Sequence, residues 1–142
     1  MAKLNIVWNG NSKGNGVIEA EKLKTNLAIP ESLGGSGKGT DPKELLLASA
    51  ASCYMTTLVY MLETKKLPVT EFTMNSEASN SKQDGLKIVH YPQITLAANA
   101  TEEQTKSVNR AIDSANKSCA VGNILKKADA QITIEGNVSV SS

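Results

Sequence analysis

The stretch DPKELLLASAASCYMTTLVYMLETKK, residues 41–66, is the most apolar part of the chain and holds a cysteine, Cys53, near its centre. The 18 residues that follow Glu44 carry no charged side chain. Asp41 as N-cap, Pro42 at the first helical position and Glu44 as the partner in a capping box predict that a long helix begins here. A thiol in the middle of this helix requires an explanation.

The helix is long enough to raise the question of a membrane span. Its 18 uncharged residues, at about 1.5 Å each, reach about 27 Å, just short of the hydrocarbon core of a bilayer. Serine and threonine side chains dilute its apolarity, and predicted strands flank it on both sides. We therefore expect no membrane partner, and a central helix buried all round by a sheet or by a partner subunit. The small residues 48–52 permit close approach.

The whole chain, residues 1–142, predicts a single α+β domain without internal repeats. N-terminal antiparallel strands precede the long helix, and the glycine- and asparagine-rich turn GNSKGNG joins the first two. A later helix has a capping box formed by Thr101 and Gln104. The expected strands are 3–9, 16–20, 22–29, 69–80, 86–97 and a last one at 131–140, and the expected helices are 42–65, 102–117 and a short one near residue 119.

Composition argues against several classes of function. The net charge is +1 and the sequence has no basic run, which argues against nucleic acid as a partner. The apolar stretch at the N-terminus is too short for a signal peptide, so we expect a cytoplasmic protein. In a reducing compartment two cysteines are either inert core residues or redox-active, and a permanent disulfide is not expected.

Two further features are weak indicators of a site. The loop GGSGKGT, residues 34–40, lies between a strand and a helix, but Lys38 is followed by Gly39 where a P-loop needs serine or threonine. His90, the chain's one histidine, lies in a predicted strand, and we expect it to pack there rather than bind a metal. We expect neither a cofactor nor a metal.

The two cysteines lie in different local settings. Cys119 opens CAVGNILKK, so its thiol is expected in the first turn of a helix, where the helix dipole lowers a cysteine pKa. Cys53 has no such local help, and burial among apolar side chains is expected to raise its pKa unless a cation lies nearby. The residues alone leave both interpretations open, two structural cysteines or a redox pair.

Two motifs carry a resemblance to a known family: PKELLLASAASC, residues 42–53, and CAVGN, residues 119–123. With the order of strands, glycine loop and long helix, the chain resembles the OsmC/Ohr family along essentially its whole length. These are bacterial thiol-dependent peroxidases that reduce organic hydroperoxides. The resemblance implies an intertwined homodimer of long central helices and wrapped sheets. It also implies that Cys53 is the peroxidatic thiol near the dimer interface and Cys119 the resolving thiol.

The chain differs from the family in the residues that stabilise the reactive thiolate. The family uses an arginine from the N-terminal strand region, whereas the one arginine here, Arg110, lies in another segment. Lys13, in the first hairpin turn, is the nearest basic residue to that position. We expect Lys13 to supply the cation for Cys53, against the simpler interpretation of a solvated turn lysine. A lysine lacks the bidentate fork of arginine.

The family glutamate is also absent, because Lys43 follows Pro42. Glu44 is one position later, and nine helical residues at about 100° each place it roughly opposite Cys53. Ala120 stands where the family often has proline.

Three functions therefore remain as hypotheses. The first is a peroxidase that reduces organic hydroperoxides through Cys53 and Cys119 and is recycled by a cellular dithiol. The second is a redox sensor or buffer with the same cysteine pair and slow turnover. The third is a module that binds a small apolar ligand at its subunit interface, with the cysteines as packing residues. The retained cysteines favour the first two, and the absent arginine and glutamate favour the last two.

Overall fold

A computed structural model describes all residues, 1–142, and confirms the expected α+β fold. The chain forms two compact units, residues 1–46 and residues 47–142. The single domain over residues 1–142 stays a prediction. The elements are β1 Leu4–Asn9, β2 Asn15–Ala20, β3 Lys24–Leu27, a short 3-10 turn Glu31–Leu33, α1 Pro42–Thr64, β4 Val69–Ser81, β5 Gly85–Leu96, α2 Glu102–Ser118, α3 Ala120–Lys127, β6 Gln131–Ile134 and β7 Asn137–Val140.

The first unit is built on a three-stranded antiparallel sheet in the order β1-β2-β3. The turn between β1 and β2 is tight, because Gly10 has a φ of 94°, which favours glycine, and the Trp8 indole N–H donates to the Asn11 carbonyl at 3.0 Å. Every residue of β1 is exposed, including the apolar side chains of Leu4 and Ile6. One edge and both faces of β1 are thus uncovered within the chain.

The start of α1 confirms the predicted N-cap but not the capping box. The Asp41 carboxylate accepts from the Glu44 backbone N–H at 2.8 Å, as an N-cap does. The Glu44 carboxylate accepts from the Thr40 hydroxyl at 2.8 Å instead of returning to the cap backbone. Thr40, the residue before the N-cap, therefore takes the place of the cap backbone as the donor to Glu44.

Only one face of α1 is buried. The buried residues are spaced four apart, as one stripe on a helix: Ala50, Tyr54, Leu58 and Leu62. The apolar side chains of Val59 and Tyr60 are exposed, Tyr60 by 70%. Within one chain only one face of α1 is covered, and burial of its other face by a partner subunit stays a prediction. By length and composition alone α1 could cross a membrane, but its buried stripe packs in the core of the second unit, as expected of a core helix.

The second unit contains a sheet with β5 at its centre. β4 pairs with β5 as a long antiparallel hairpin, and β6 and β7 both pair with β5 in parallel. The single last strand expected at 131–140 is wrong, because the strand is interrupted at residues 135–136. The interruption lies beside Pro92 of β5, which has no backbone N–H to donate. A Cβ at Gly136 would lie 3.0 Å from Ile112 Cδ1, so α2 also packs closely there.

The core of this unit is formed by one face each of α1, α2 and β5. The Thr101–Gln104 capping box is present with both hydrogen bonds, at 3.0 and 2.9 Å, and fixes the start of α2. Cys119 lies at the margin of this core. The buried members are Tyr54, Leu58, Leu62, Ile94, Leu96, Val108, Ala111, Ile112, Ala115 and Cys119.

His90 packs in β5, as predicted. Its ring is stacked on Tyr54 with centroids 5.1 Å apart, and its Nδ1 lies 2.7 Å from the Ser76 hydroxyl. Burial lowers the pKa of His90. Tyr54 donates from its hydroxyl to the Ile112 carbonyl at 2.9 Å, which links α1 to α2. The stack therefore holds α1 at the residue next to Cys53.

Candidate active site

Cys53 lies at the border between the buried and exposed faces of α1. It is half-buried and comes directly before the buried Tyr54. Its backbone carbonyl accepts from the Thr57 hydroxyl at 2.8 Å, one turn further along. The thiol packs against the margin of the core at a place that a small molecule could approach.

Cys119 lies at the junction of α2 and α3. It is buried and has an extended backbone conformation, which ends α2 and makes it the N-cap of α3. Its Sγ accepts from the Gly122 N–H at 3.4 Å. The thiol was expected in the first turn of this helix, and the structure places it one residue earlier, at the cap. The cap function is normally performed by a side-chain oxygen, and here sulfur performs it.

The first turn of α3 directs its backbone N–H groups at both sulfurs. The first N–H groups of a helix have no partner within the helix. Those of Ala120 and Val121 act on Cys53 and lower its pKa, and that of Gly122 donates to Cys119 at 3.4 Å. The Cys119 thiol also lowers the pKa of Cys53, so the two side chains interact. Both cysteines are free thiols in this structure.

These donors lower the pKa of Cys53. Burial is the largest single influence and raises the pKa, but the hydrogen bonds from Val121, Cys119 and Ala120 together outweigh it, with a smaller contribution from Thr57. The expected effect of burial is therefore present, but hydrogen-bond donors rather than a nearby cation outweigh it. These donors belong to α3, which is far from Cys53 in the sequence but adjacent to it in the fold.

The pKa of Cys119 shifts in the opposite direction. Burial raises it most, and the neighbouring Cys53 raises it further, while the Gly122 N–H and the charge of Lys126 lower it. The expected lowering of the Cys119 pKa is therefore wrong. The helix N-terminus was correctly predicted to stabilise a thiolate, but the sulfur that benefits more is Cys53 on another helix.

Lys126 is a functional candidate that the sequence analysis missed. Its ammonium group donates to the backbone carbonyl and to the side-chain oxygen of Asn116, at 2.9 and 3.0 Å. Seven residues at about 100° each bring Lys126 back to within about 20° of Cys119 around the helix. That spacing was a usable signal in the sequence.

Lys13, predicted to supply the cation for Cys53, lies in the exposed β1–β2 turn of the first unit. Its backbone N–H donates to the Asn11 side-chain oxygen at 2.9 Å. Its proposed action on Cys53 stays a prediction. Lys43, which follows Pro42 where the family has a glutamate, is exposed in the first turn of α1. Of the residues predicted for the site, the structure therefore brings together the two cysteines.

This geometry suits a reaction that uses two sulfurs in turn. Cys53 has the lower pKa, is half-buried and is the better nucleophile at neutral pH. Cys119 is buried beside it and can attack it without large motion. An α+β protein with such a pair is a candidate two-cysteine redox protein.

Comparison with known proteins agrees with this class. The family model described as OsmC-like protein matches residues 35–135, which include α1, both cysteines and Lys126. The chain therefore belongs to the OsmC family, as its resemblance to OsmC and Ohr proteins suggested.

The relatives extend over nearly the whole chain. The uncharacterised protein YmaD of Bacillus subtilis (strain 168) is 32% identical over 138 residues, covering 91% of this chain and 92% of YmaD. Organic hydroperoxide resistance protein-like 2 of Staphylococcus saprophyticus is 26% identical over 140 residues, covering 96% and 94% of the two chains. A crystal structure of an OsmC-like protein from Mycoplasma pneumoniae has a TM-score of 0.69 at 24% identity and covers 99% of this chain and 98% of its own.

Proposed function

We propose that the protein is a thiol-dependent peroxidase that reduces organic hydroperoxides through Cys53 and Cys119. The observation that carries this proposal is the position of the Cys53 sulfur at the N-terminus of α3, beside the Cys119 thiol. A thiolate and an adjacent thiol on different helices are what a two-step reduction requires. The relative named as an organic hydroperoxide resistance protein supports the choice of substrate.

In the first step the Cys53 thiolate attacks the terminal oxygen of the hydroperoxide. The O–O bond breaks, the sulfur keeps one oxygen as a sulfenic acid, and the alkoxide leaves and takes a proton to become an alcohol. Sulfur is oxidised by two electrons and the peroxide is reduced by two. The backbone N–H groups of Ala120 and Val121 favour the reactive thiolate before this attack.

In the second step the Cys119 thiolate attacks the sulfur of the Cys53 sulfenic acid. An S–S bond forms, the S–O bond breaks, and hydroxide leaves and is protonated to water. A cellular dithiol then reduces the disulfide by thiol–disulfide exchange and returns both residues to thiols. One hydroperoxide and one dithiol are consumed in each turnover.

The active form is proposed to be a homodimer in the cytoplasm, folded as one domain over residues 1–142. The apolar side chains exposed on α1 and β1 support a partner subunit, because exposed apolar surface of this extent is unfavourable in water. A reducing compartment supplies the dithiol. The exposed apolar side chains of α1 are Leu46, Val59 and Tyr60, and they favour organic hydroperoxides over hydrogen peroxide as substrates.

The test is the rate at which reduced protein reacts with cumene hydroperoxide, followed by stopped-flow and compared with hydrogen peroxide. We expect faster oxidation by the organic peroxide and no reaction in Cys53→Ser. Cys119→Ser should react in the first step and stop at a sulfenic acid that dimedone traps. Oxidation no faster than that of free cysteine would contradict the proposal.

Lys13 is proposed to favour the Cys53 thiolate, in place of the family arginine. In a Cys119→Ser background we expect Lys13→Met to raise the apparent pKa of Cys53 alkylation, because a lost positive charge disfavours the thiolate. If Lys13→Met leaves the apparent pKa unchanged, the proposed role of Lys13 is wrong, and the proposal for the two cysteines still stands.

A second function, binding of a small apolar ligand with slow or no turnover, is favoured by one observation. A cavity of about 280 Å³ opens beside the C-terminal half of α1 and is lined by Val59, Leu62, Glu63, Leu67, Val69 and Phe72. It includes neither cysteine. Slow oxidation of the wild-type protein, together with saturable binding of a fluorescent apolar probe that Phe72→Asp abolishes, would favour this function. A redox sensor would instead show the complete cysteine chemistry at a low rate.

A further inference from the structure

The amino group of Lys126 is held at the junction that contains Cys119. Asn116 is three residues before Cys119, and both of its oxygen atoms accept from the Lys126 ammonium group. The side chain is partly buried, so its charge is only partly screened by water. The adjacent Lys127 is exposed and makes no such contact. One cation is therefore fixed near the buried thiol.

In the reduced protein Cys53 raises the pKa of Cys119 and so counteracts the effect of Lys126, which lowers it. A thiolate on Cys53 disfavours a second thiolate on Cys119, both by repulsion and by accepting the Cys119 proton in a hydrogen bond. Among titratable groups, Cys53 on α1 and Lys126 on α3 act on Cys119. Tyr54 beside it donates to a carbonyl and stays neutral, and Asp113 on α2 acts on Tyr54. The lowered pKa of Cys53 and the raised pKa of Cys119 therefore favour a thiolate on Cys53 over one on Cys119.

Oxidation of the Cys53 thiolate removes its unfavourable effect on a thiolate at Cys119. A sulfenic acid in its protonated form carries no charge, so the repulsion ends, while the Gly122 N–H and the Lys126 charge remain in place. We propose that Lys126 is a positioning residue for the second step: its tethered ammonium group stabilises the Cys119 thiolate once Cys53 has become a sulfenic acid. The negative charge then moves from Cys53 to Cys119 only after peroxide has reacted. This inference rests on the proposed peroxidase function.

Lys126 also has a structural role that the test must separate from this one. A cation that binds the carbonyl groups at the end of α2 stabilises that helix terminus. Lys126→Gln removes the charge and keeps an N–H donor for Asn116, and Lys126→Arg keeps the charge. Lys127→Gln removes a neighbouring charge from an exposed position and is the matched control.

The first experiment measures both steps in the same reaction. Reduced protein is mixed with cumene hydroperoxide, quenched with dimedone at increasing times and analysed by intact mass for sulfenic acid and disulfide. We expect Lys126→Gln to leave the rate of sulfenic acid formation unchanged within a factor of about two and to slow disulfide formation. For each unit of increase in the Cys119 pKa the thiolate fraction falls about tenfold and its nucleophilicity rises about threefold, so the net loss is about threefold.

The second experiment does not depend on peroxidase activity. In Cys53→Ser protein Cys119 is the one remaining thiol, and its ionisation is followed by the ultraviolet absorbance of the thiolate as pH is raised. We expect the midpoint to rise by about half a unit to one unit with Lys126→Gln, and to be restored by Lys126→Arg. Lys127→Gln should leave it unchanged. Helix content measured by circular dichroism should be equal in all variants.

The outcomes separate the two proposals. If wild-type protein forms no sulfenic acid, the peroxidase proposal fails, and the titration still decides whether Lys126 stabilises the Cys119 thiolate. If sulfenic acid forms and Lys126→Gln behaves like Lys127→Gln in both experiments, the role of Lys126 is overturned. Equal slowing of both steps would also overturn it, because the cation would then serve Cys53.

Discussion

Replacing Ala120 by proline tests the claim that the backbone of α3 holds the Cys53 thiolate. Ala120 is the first residue of α3, where its N–H has no helical partner and donates to Cys53. Proline is tolerated at this position, and the extended backbone of Cys119 before it, at ψ 114°, is compatible with a following proline. The substitution therefore removes one donor from the thiolate and leaves the helix in place.

The expected size of the effect follows from this single hydrogen bond. A hydrogen bond to a charged group contributes about 1.5–3 kcal/mol, or about one to two pKa units. Cys53 is half-buried and water competes for the sulfur, so we reduce this by about half and expect its pKa to rise by about half a unit to one unit. Val121 and Cys119 still donate, so the thiolate is weakened and not lost.

The assay is the pH dependence of iodoacetamide alkylation, with Cys53 and Cys119 resolved by peptide mass. Ala120→Gly keeps the N–H and is the matched control, and it should titrate like the parent. The reasoning is refuted if Ala120→Pro keeps the parent helix content and the parent midpoint for Cys53.

Three further predictions concern stability and assembly. His90 has a lowered pKa in the folded state, so the unfolded state binds more protons as pH falls below about 6.5. The free energy of unfolding, measured by urea titration, should therefore decrease as pH falls through this range. His90→Gln should reduce this dependence of the unfolding free energy on pH. Leu58→Ala removes a side chain with no exposed surface and should lower the free energy of unfolding by about 2–5 kcal/mol at fixed protein concentration; a loss below about 1 kcal/mol would contradict the described core. Light scattering at micromolar concentration should give the mass of two chains, and Tyr60→Glu on the exposed face of α1 should shift it towards one; a stable wild-type monomer would remove the dimer.

The parts of the fold that the sequence predicted are those with local signals. Thr101 and Gln104 are three residues apart and form the capping box that their spacing indicates. The helix expected over residues 102–117 is α2, which spans Glu102–Ser118. The division of the last strand was missed because its cause, Pro92, lies in another strand and acts across the sheet. The sequence left open whether a sheet or a partner subunit covers α1, because an apolar run does not show which of its faces the same chain covers.

The site was predicted less completely for a related reason. The contact between Cys53 and Cys119 was expected from family resemblance, since their separation in the sequence does not indicate it. The pKa of Cys119 was assigned in the wrong direction, and the offset to the burial of Cys53 was assigned to a cation, because a helix N-terminus stabilises the anion that its N–H groups reach in space. In this protein that anion belongs to α1. Lys126 was not predicted because its contact with Asn116 depends on the bend between α2 and α3, which brings the two residues together.

The most direct test of the central claim is the stoichiometry of the reaction with an organic hydroperoxide. Fully reduced protein is mixed with one equivalent of cumene hydroperoxide, and the remaining thiols, the alcohol product and the cross-linked peptides are measured. We predict that one alcohol forms for each pair of thiols lost, and that the cross-linked peptide joins Cys53 to Cys119 within one chain. Loss of peroxide without that disulfide, or a protein that keeps both thiols while the peroxide persists, would contradict the account.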